Sequence, residues 1–463
     1  PGADVDSVAA AISLNAERFS QKGWCFGTTP FALPSIGRKH ILAKHGRHGQ
    51  TKQPGGWSSR SVTMPAYLAR FACIGPACED TCCIGWQVPV DPRSYARYKK
   101  HPDPELRAAF DERLIAVQSA DPTMHGAALI RLDDDNRCPF LDMNSLCEMQ
   151  VRGGEALLCE TCTTYPRNTI SFGSRLERAA VLSCPEAARL ALLAPDAMEL
   201  VEVTEPLGVR MNLRELPLSK AGVDAPLRRF AELRAGAVRL LRASSASIES
   251  RLLALGLALR SLDNRTLARD EAAQTFDRYS RGLPAVEEQL AGARPLDSLR
   301  TELLRELIVE RFATAPVSQR YTAIVAKVEQ GLQLQANRMT DDAVISHYNS
   351  ALNDIYNPYM SQRPWLVANL LVNQVYSSVF PFGGGSTMFD DYLLLVLRYA
   401  LIKLHLVGVA AFDGALDDAQ VIEVVHVFQR TVDHDPGFLK HVVDLLRKND
   451  LSSMAFMAIL IVS

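Results

Sequence analysis

The cysteines of this chain are confined to one stretch of its sequence. Nine of the ten lie between Cys73 and Cys184, and residues 185–463 contain none. Free thiols are reactive, so a group this dense is expected to be held by disulfides or by a metal. The choice between the two decides the compartment in which the chain folds and the chemistry that it performs.

Metal binding explains these cysteines better than disulfides do. Disulfide frameworks are typical of small secreted domains, whereas this chain has 463 residues, 48% of them hydrophobic, which is enough for a large core. Residues 1–20 show no basic segment followed by an apolar one, so we expect no secretory signal there. The short spacings Cys78-x3-Cys82 and Cys159-x2-Cys162 favour thiolate ligands.

The metal is an iron–sulfur cluster or zinc, and the spacing favours the cluster. Structural zinc usually takes paired C-x2-4-C knuckles. Here Cys82 and Cys83 are adjacent, and in an extended chain such neighbours point to opposite faces. The pair therefore serves two sites, or one of the two is a ligand and the other is not. Crowded thiols closed by distant cysteines suit an iron–sulfur cluster.

Charge and hydropathy argue against nucleic acid and membrane as partners. The net charge is −2 and the pI is near 6.6, so no overall field attracts a polyanion. The most apolar stretch, 392–409, is interrupted by Arg398, Lys403 and His405, which predicts a buried core helix and no membrane span. A basic stretch at 38–52 lies in a segment poor in core-forming residues, and we expect it to be weakly ordered.

The sequence predicts a mainly α chain in three parts. Residues 1–63 form a weakly ordered extension that contributes little to a core, and residues 64–200 form a small cysteine-rich α+β metal-binding domain. Residues 201–463 form a C-terminal helical bundle. Apolar residues recur there with a helical period in several segments, namely 227–241, 303–312, 321–332, 419–431, 438–447 and 452–461.

Local patterns refine the cysteine-rich part. Residues 128–132 predict one strand, and residues 136–149 predict two short strands around a polar turn at 142–145, which brings Cys138 and Cys147 together. Pro185 opens a helix directly after Cys184. We expect that helix N-terminus to stabilise a thiolate.

Five stretches of this chain resemble the flagellin lysine-N-methylase (FliB) family. They are CIGPACEDTCCIGW at 73–86, CPFLD at 138–142, TCTTYPR at 161–167, LSCPEAARL at 182–190 and FDDYLLLVLRYALIKLH at 389–405. The resemblance runs in order from Met64 to the C-terminus, and residues 1–63 fall outside it. The cysteine spacing also resembles the zinc- or iron-chelating YkgJ-type domain.

The resemblance implies a ligand set, a reaction and a partner. Eight cysteines match the family pattern as metal ligands, namely Cys73, Cys78, Cys82, Cys83, Cys138, Cys147, Cys162 and Cys184. Cys159 is an addition to that pattern. The implied reaction is methyl transfer from S-adenosylmethionine to lysine ε-amines of flagellin, in the cytoplasm before export. The alternatives are a non-enzymatic metal-binding protein and a redox protein that uses the same iron–sulfur cluster.

A lysine must lose a proton before it can accept a methyl group, because an ammonium has no lone pair. Its free pKa of about 10.4 requires a site that desolvates the amine or supplies a base. Tyr165 and Glu186 are our catalytic candidates near the cysteines, with Glu177 as a further carboxylate. Arg167 is the candidate for binding the carboxylate of the methyl donor.

No G-x-G-x-x-G motif follows an apolar run, so a Rossmann-type donor site is not supported.

Two further features, the glycines at 383–385 and His405, invite a functional interpretation, but their sequence context favours a structural role. Gly383, Gly384 and Gly385 precede a helix, where backbone N–H groups can bind an anion, but a flexible loop is the expected structure. His405 lies on an apolar helical face and is expected to be a core histidine.

Overall fold

The structure is a computed structural model, and it describes most of the chain. The described residues are 59–117, 126–218, 226–263, 266–268, 270–291, 297–315, 317–334 and 342–462. Cys25, the basic stretch 38–52 and nearly all of the predicted extension lie outside these residues.

Eight strands are found in the described residues, all in the N-terminal part. They are β1 (Ser59–Pro65), β2 (Pro89–Val90), β3 (Leu114–Ala116), β4 (Ala128–Ile130), β5 (Arg167–Phe172), β6 (Arg175–Ala180), β7 (Leu200–Pro206) and β8 (Leu213–Leu216). Five of them form a mixed sheet in the order β7-β1-β6-β5-β8, and the other three form a small antiparallel sheet in the order β2-β4-β3.

The larger sheet is organised around one hairpin and one parallel pair. β5 and β6 are joined by a two-residue turn, where Gly173 adopts a positive φ of 59° that suits the twist of a tight hairpin. β1 pairs in parallel with β6 and antiparallel with β7 over its full length of seven residues. β6 leads directly to Ser183 and Cys184, so this sheet places the last cysteine.

The helices fill the rest of the described chain. In the N-terminal part they are α1 (Ala66–Ala69), α2 (Pro92–Lys99), α3 (Pro104–Arg113), α4 (Glu148–Gly153), α5 (Glu160–Thr164) and α6 (Pro185–Leu193). They continue as α7 (Phe230–Leu241), α8 (Ile248–Leu262), α9 (Glu271–Arg281), α10 (Leu283–Ala291), α11 (Asp297–Thr314), α12 (Gln319–Gly331) and α13 (Asp342–Ala351). After a π-helical turn at Leu352–Tyr356 come α14 (Asn357–Ser361), α15 (Leu366–Ser377), α16 (Met388–Asp413), α17 (Asp418–Val432), α18 (Pro436–Lys448) and α19 (Met454–Ile461).

The predicted arrangement of a mainly α chain with strands near the N-terminus and a helical C-terminal region is confirmed. Each segment with a helical apolar period contains a helix, namely α7, α11, α12, α17, α18 and α19. The helix predicted from Pro185 is α6, with Cys184 at its N-cap. Periodicity succeeded here because each helix buries one apolar stripe against its neighbours.

The apolar stretch at 392–409 lies in the central helix α16. It is long and apolar enough to cross a membrane by length and composition alone, but 94% of its most apolar window is buried inside the protein. A capping box formed by Thr387 and Asp390 begins the helix, and Gly414 with a φ of 69° ends it. α12 crosses closely, because Gly331 and Gly408 lack side chains at the contact. The prediction of a core helix is confirmed.

One hydrophobic cluster joins the larger sheet to the helices, and a second, smaller one lies under the cysteines. The large cluster runs from Val62 in β1 to Ile461 in α19. The small cluster is built from β2, β3, β4, α2 and α3 and includes Cys138 and Cys159. Residues on both sides of the predicted boundary at 200/201 therefore share one core. The three-part division into domains stays a prediction.

Two local expectations are wrong. Residues before Met64 do contribute to the core, since β1 begins at Ser59 and Val62 is fully buried. The strand predicted to end at Met149 is not formed, because helix α4 begins at Glu148. Only isolated bridges, Ile84 to Arg137 and Leu141 to Cys147, occur around the turn at 142–145. The strand predicted at 128–132 is confirmed as β4.

Buried hydrogen bonds tie the sheet to the helical region. Asn373 of α15 accepts a hydrogen bond from the Tyr67 hydroxyl at 2.6 Å and donates to the Ala180 carbonyl at 3.0 Å. Gln429 of α17 accepts from the Leu182 backbone N–H at 3.0 Å. These bonds fix the end of β6 against α15 and α17, so the segment that carries Ser183 and Cys184 lies at the seam between the two regions.

Candidate functional site

The loop that carries the first cysteines, residues 73–86, is held against helix α17 by one arginine. Arg430 donates to the Asp80 carboxylate at 2.8 Å, to the Thr81 carbonyl at 3.1 Å and to the Ile84 carbonyl. Hydrogen bonds to charged groups are the stronger kind, so three from one guanidinium fix the loop firmly. The cysteine loop and the helical region therefore meet at Arg430.

The nine cysteines of the described residues are free thiols and fall into two groups. We define the junction group as Cys73, Cys78, Cys82 and Cys184, and the buried group as Cys83, Cys138, Cys147, Cys159 and Cys162. Burial is the largest cause that raises the pKa of Cys184 and of Cys138. Charges within each group add to it: Cys78 and Cys73 act on Cys184, and Cys83 and Cys147 act on Cys138.

The two groups differ in exposure. Cys73 and Cys82 are exposed, on the loop that faces the helical region. In the buried group, Cys159 is fully buried and Cys138 is 6% exposed, and both belong to the small hydrophobic cluster. The backbone N–H of Cys138 donates to the Cys83 carbonyl at 2.8 Å, which fixes the second group beneath the loop.

The adjacent pair Cys82 and Cys83 divides between the groups. A hydrogen bond from the Cys82 thiol lowers the pKa of Cys83 to about 7 and raises that of Cys82 far above its ordinary value. The same arrangement recurs at the second short spacing, where a hydrogen bond from Cys162 lowers the pKa of Cys159. Cys159, left outside the predicted ligand set, thus lies beside Cys162 in the buried group.

Metal geometry is not preformed. Among the side chains that the structure describes, no three His, Cys, Asp or Glu residues are placed so as to hold one metal ion. Burial raises the pKa of Cys184 to about 12, although N–H groups at the start of α6 act in the opposite direction. The expected stabilisation by the helix N-terminus is therefore present, but burial is the larger effect.

Three aromatic side chains lie together beside the junction group. Trp86 follows the cysteine loop, and its indole N–H donates to the Cys82 carbonyl at 2.7 Å. Its ring centroid is 6.1 Å from that of Tyr165, after α5, and 6.5 Å from that of His434, after α17. We call Trp86, Tyr165 and His434 the aromatic group.

Ser183 links two members of the aromatic group. Its hydroxyl oxygen is 3.0 Å from the Tyr165 hydroxyl and 2.8 Å from Nε2 of His434. Ser183 is only 1% exposed. Burial, followed by the charge of Cys184, raises the pKa of Tyr165 well above its ordinary range. The phenol is therefore neutral at physiological pH and sits within the field of the junction cysteines.

The predicted donor-binding residue Arg167 lies at the start of β5. Its guanidinium stacks over the Phe71 ring at 4.9 Å. Burial and the charge of Arg178 lower its pKa, while Glu155, followed by Cys184 and Cys73, acts in the opposite direction. Within the described residues no carboxylate pairs with Arg167, so its charge is available beside the junction group.

The predicted carboxylates are engaged in ion pairs. Glu186 pairs with Arg189 of its own helix, and Arg189 also pairs with Glu79 of the cysteine loop. Glu177 of β6 pairs with the buried Arg234 at 2.9 Å. The Glu177 pair links β6 to α7, the Glu186 pair lies within α6, and neither carboxylate lies free beside the aromatic group.

The glycine segment 383–385 and His405 have structural roles, as expected. The N–H groups of Gly383, Gly384 and Gly385 all donate to the carboxylate of Asp391, so the glycine loop binds an anion that belongs to the chain itself. His405 is fully buried in α16, and its Nδ1 lies 2.7 Å from the Leu401 carbonyl. The expected flexible loop is thus a loop closed on Asp391.

Sequence reasoning missed His434, Ser183 and Arg430. Ser183 had one signal, its position next to Cys184 in a motif. His434 and Arg430 had none, because they are 251 and 350 residues from the groups that they contact, Ser183 and Asp80. Only folding brings the end of α17 to the cysteine loop.

Comparison with known proteins identifies the family to which this chain is related. Residues 234–460 match the FliB lysine N-methylase C-terminal domain. Lysine-N-methylase proteins of Salmonella typhimurium (strain LT2) and Salmonella choleraesuis are each 24% identical over 413 residues, which cover 85% of this chain and 98% of each relative. No solved structure matches it significantly.

A third relative matches a shorter part of the chain at higher identity. The flagellar biosynthetic protein FliU of Salmonella muenchen is 31% identical over 142 residues, which cover 31% of this chain and 83% of that relative. The prediction of a protein-lysine N-methyltransferase is confirmed at the level of the family, and neither alternative is favoured. The chain belongs to the FliB family of lysine N-methylases.

Proposed function

We propose that this protein transfers methyl groups from S-adenosylmethionine to lysine ε-amines of flagellin, in the cytoplasm before export. Two relatives named lysine-N-methylase align with 85% of the chain, and a third is named a flagellar biosynthetic protein. The observation that carries the proposal is the aromatic group at the seam, beside the exposed Cys73 and Cys82 and beside Arg167, which pairs with no carboxylate of the described residues.

The aromatic group fits a lysine side chain. Aromatic faces attract an ammonium through their quadrupole and bind its methylated forms equally well. Trp86 and Tyr165, with ring centroids 6.1 Å apart, offer two such faces. Partial burial disfavours the charged ammonium and so assists loss of its proton. Tyr165, with a free lone pair at this place, suits contact with the amine better than Glu186, whose carboxylate is occupied by Arg189.

Arg167 fits the carboxylate of the methyl donor. Its guanidinium lacks a carboxylate partner among the described residues, and a guanidinium binds a carboxylate through two parallel hydrogen bonds. Its stacking on Phe71 holds the plane of the group in place. A donor carboxylate bound there lies near both Cys184 and Cys73, whose charges act on Arg167.

The cysteine groups fit two thiolate-bound metal sites by the chemistry of their donors. Each group has at least four free thiols that interact electrostatically, which is the ligand type of iron–sulfur clusters and of structural zinc. We propose an iron–sulfur cluster on the junction group and a second cluster or zinc on the buried group, with the side chains drawn together by the metal. An iron–sulfur cluster held by the junction group would supply a Lewis acid near the methyl donor, while Arg167 holds the donor carboxylate.

Purified full-length protein incubated with methyl-labelled S-adenosylmethionine and flagellin tests the reaction. We expect label on flagellin lysines, and none when the lysines are blocked by prior acetylation. Anaerobic iron, zinc and sulfide analysis of the same preparation tests the metal sites. Label on flagellin in metal-free protein at the full rate would show that the cysteines serve another purpose, and no label with metal-loaded protein would remove the proposed function.

A further inference from the structure

Three polar groups form a continuous hydrogen-bonded chain from the aromatic group to the protein surface. The Tyr165 hydroxyl, the Ser183 hydroxyl and Nε2 of His434 are joined by contacts of 3.0 and 2.8 Å. Ser183 is buried, whereas His434 is an exposed residue. The three hydrogen-bonded groups therefore run from the aromatic group, where the substrate amine is proposed to bind, to the solvent-exposed His434.

The direction of hydrogen-bond donation along Tyr165, Ser183 and His434 follows from which of these groups can donate. Partial burial of the ring lowers the pKa of His434, so its imidazole is neutral near pH 7 and one ring nitrogen is an acceptor. With Nε2 accepting, the Ser183 hydroxyl donates to it, and the Ser183 oxygen accepts from the Tyr165 hydroxyl. The Tyr165 oxygen then keeps a lone pair for a further donor.

We infer that Tyr165, Ser183 and His434 form a proton path that removes the proton from the substrate lysine before methyl transfer. This inference rests on the function proposed above and assigns a role to two residues that the resemblance did not include. Tyr165 contacts the amine, Ser183 passes the proton, and His434 receives it.

The proton transfer balances without any outside reagent. An N–H bond of the lysine ammonium breaks as an O–H bond forms at Tyr165. The original Tyr165 proton moves to Ser183, and the Ser183 proton moves to Nε2 of His434. The amine now has a lone pair, which forms the new N–C bond, while the S–C bond of the sulfonium donor breaks and its electron pair stays on sulfur. The imidazolium of His434 returns its proton to solvent.

Neighbouring charges permit the imidazolium to form. Asp433 raises the pKa of His434, and Arg430 lowers it. Asp433 is itself held by Arg398 at 2.5 Å, so its position is fixed. The Trp86 ring, stacked on His434 at an angle of 29°, offers a face to the positive charge. These groups allow His434 to take up a proton transiently without remaining charged.

The test compares His434→Gln and Ser183→Ala with wild type from pH 7 to pH 9.5. The matched control is His441→Gln, which alters another exposed histidine, one paired with Glu310 on helix α11. Rates of flagellin methylation are measured at saturating and limiting flagellin. Thermal unfolding and metal content of each variant check that the fold is retained.

Both variants are expected to lose on the order of 100-fold in kcat at pH 7, with little change in KM, which is the usual scale of a general base. The deficit should shrink at least 10-fold by pH 9.5, because the neutral fraction of a lysine with a pKa of about 10.4 rises by roughly two orders of magnitude over that range. His441→Gln should follow wild type.

The outcomes separate the two proposals. A deficit that is the same at every pH shows a structural role for Ser183 and His434 and overturns the proton path, while leaving the proposed function standing. Full activity of either variant at pH 7 also overturns it. Absence of methylation by metal-loaded wild type removes the proposed function and the proton path together.

Discussion

The junction group and the buried group of cysteines have similar ligands but different surroundings. The buried group lies in the small hydrophobic cluster, with Cys159 fully buried and Cys138 nearly so. The junction group lies at the seam between sheet and helices, with Cys73 and Cys82 exposed and an aromatic group beside it. Structural metal sites are closed and catalytic ones keep an open position. We therefore propose that the buried group contributes stability and the junction group contributes to the chemistry.

The largest effect is expected from Cys138→Ser, set against Cys73→Ser. Losing a buried ligand should release the metal and unfold the small cluster, because metal binding contributes folding free energy, at a cost of more than about 4 kcal/mol. Losing the exposed Cys73 should abolish methyl transfer and leave thermal unfolding nearly unchanged. Circular dichroism melts and metal content measure both. Equal destabilisation by the two variants would end the distinction between the groups.

The second largest loss of stability is expected from removing β1, a strand of the sheet that positions Cys184. A chain that starts at Met64 lacks most of β1, including the buried Val62 and its pairing with β6 and β7. We expect a loss of roughly 4 kcal/mol from the apolar burial and hydrogen bonds removed. A chain that starts at Ser59 is the matched control and should melt as the full chain does. Equal melting temperatures for both truncated chains would contradict the role of β1.

Acid is expected to lower the free energy of unfolding by about 3 kcal/mol through His426, which lies next to the cysteine loop. His426 of α17 is fully buried, 3.8 Å from the Asp80 carboxylate, and burial followed by the charge of Arg320 lowers its pKa to about 4. Between pH 6.5 and pH 4 the unfolded chain binds a proton that the folded protein does not, so the free energy of unfolding falls as pH falls.

Urea unfolding at pH 7 and pH 4.5 measures this effect. His426→Leu should lose less stability over that range than wild type, and the exposed His441→Gln should lose as much as wild type. His405, buried in the helical core with its pKa also lowered to about 4, adds a similar fall that persists in His426→Leu. An unchanged pH dependence in His426→Leu would show that this imidazole already carries a proton in the folded protein.

The smallest effect on stability is expected from Arg430→Gln. It removes three hydrogen bonds to the cysteine loop, worth about 2 kcal/mol in sum, because the loop groups that they free regain hydrogen bonds to water. Methyl transfer should fall on the order of 10-fold, because the loop carries Cys82 and Trp86. Arg320→Gln, which removes a more exposed contact to the same loop at Glu79, is the matched control and should change neither. Loss of activity in both variants alike would indicate a general electrostatic effect.

Local sequence patterns predicted the elements that depend on neighbours in sequence. The apolar period of 321–332 gave α12 and the Pro185 start gave α6, because a helix is set by residues three and four apart. The pattern failed at Cys147, where the sequence suggested a strand and the structure starts α4 at the next residue. Two bridges without a ladder do not make a strand, and a segment this short is decided by its tertiary contacts.

The sequence by itself determined that cysteines crowd one part of the chain, that helices follow from about residue 225 onward, and that Tyr165 and Arg167 lie near those cysteines in sequence. The tertiary structure alone decided the division of Cys82 from Cys83 between the two cysteine groups and the approach of His434 and Arg430 to the cysteine loop. Those contacts join residues up to 350 positions apart, and they form because the larger sheet and α17 bury their apolar faces in one shared core.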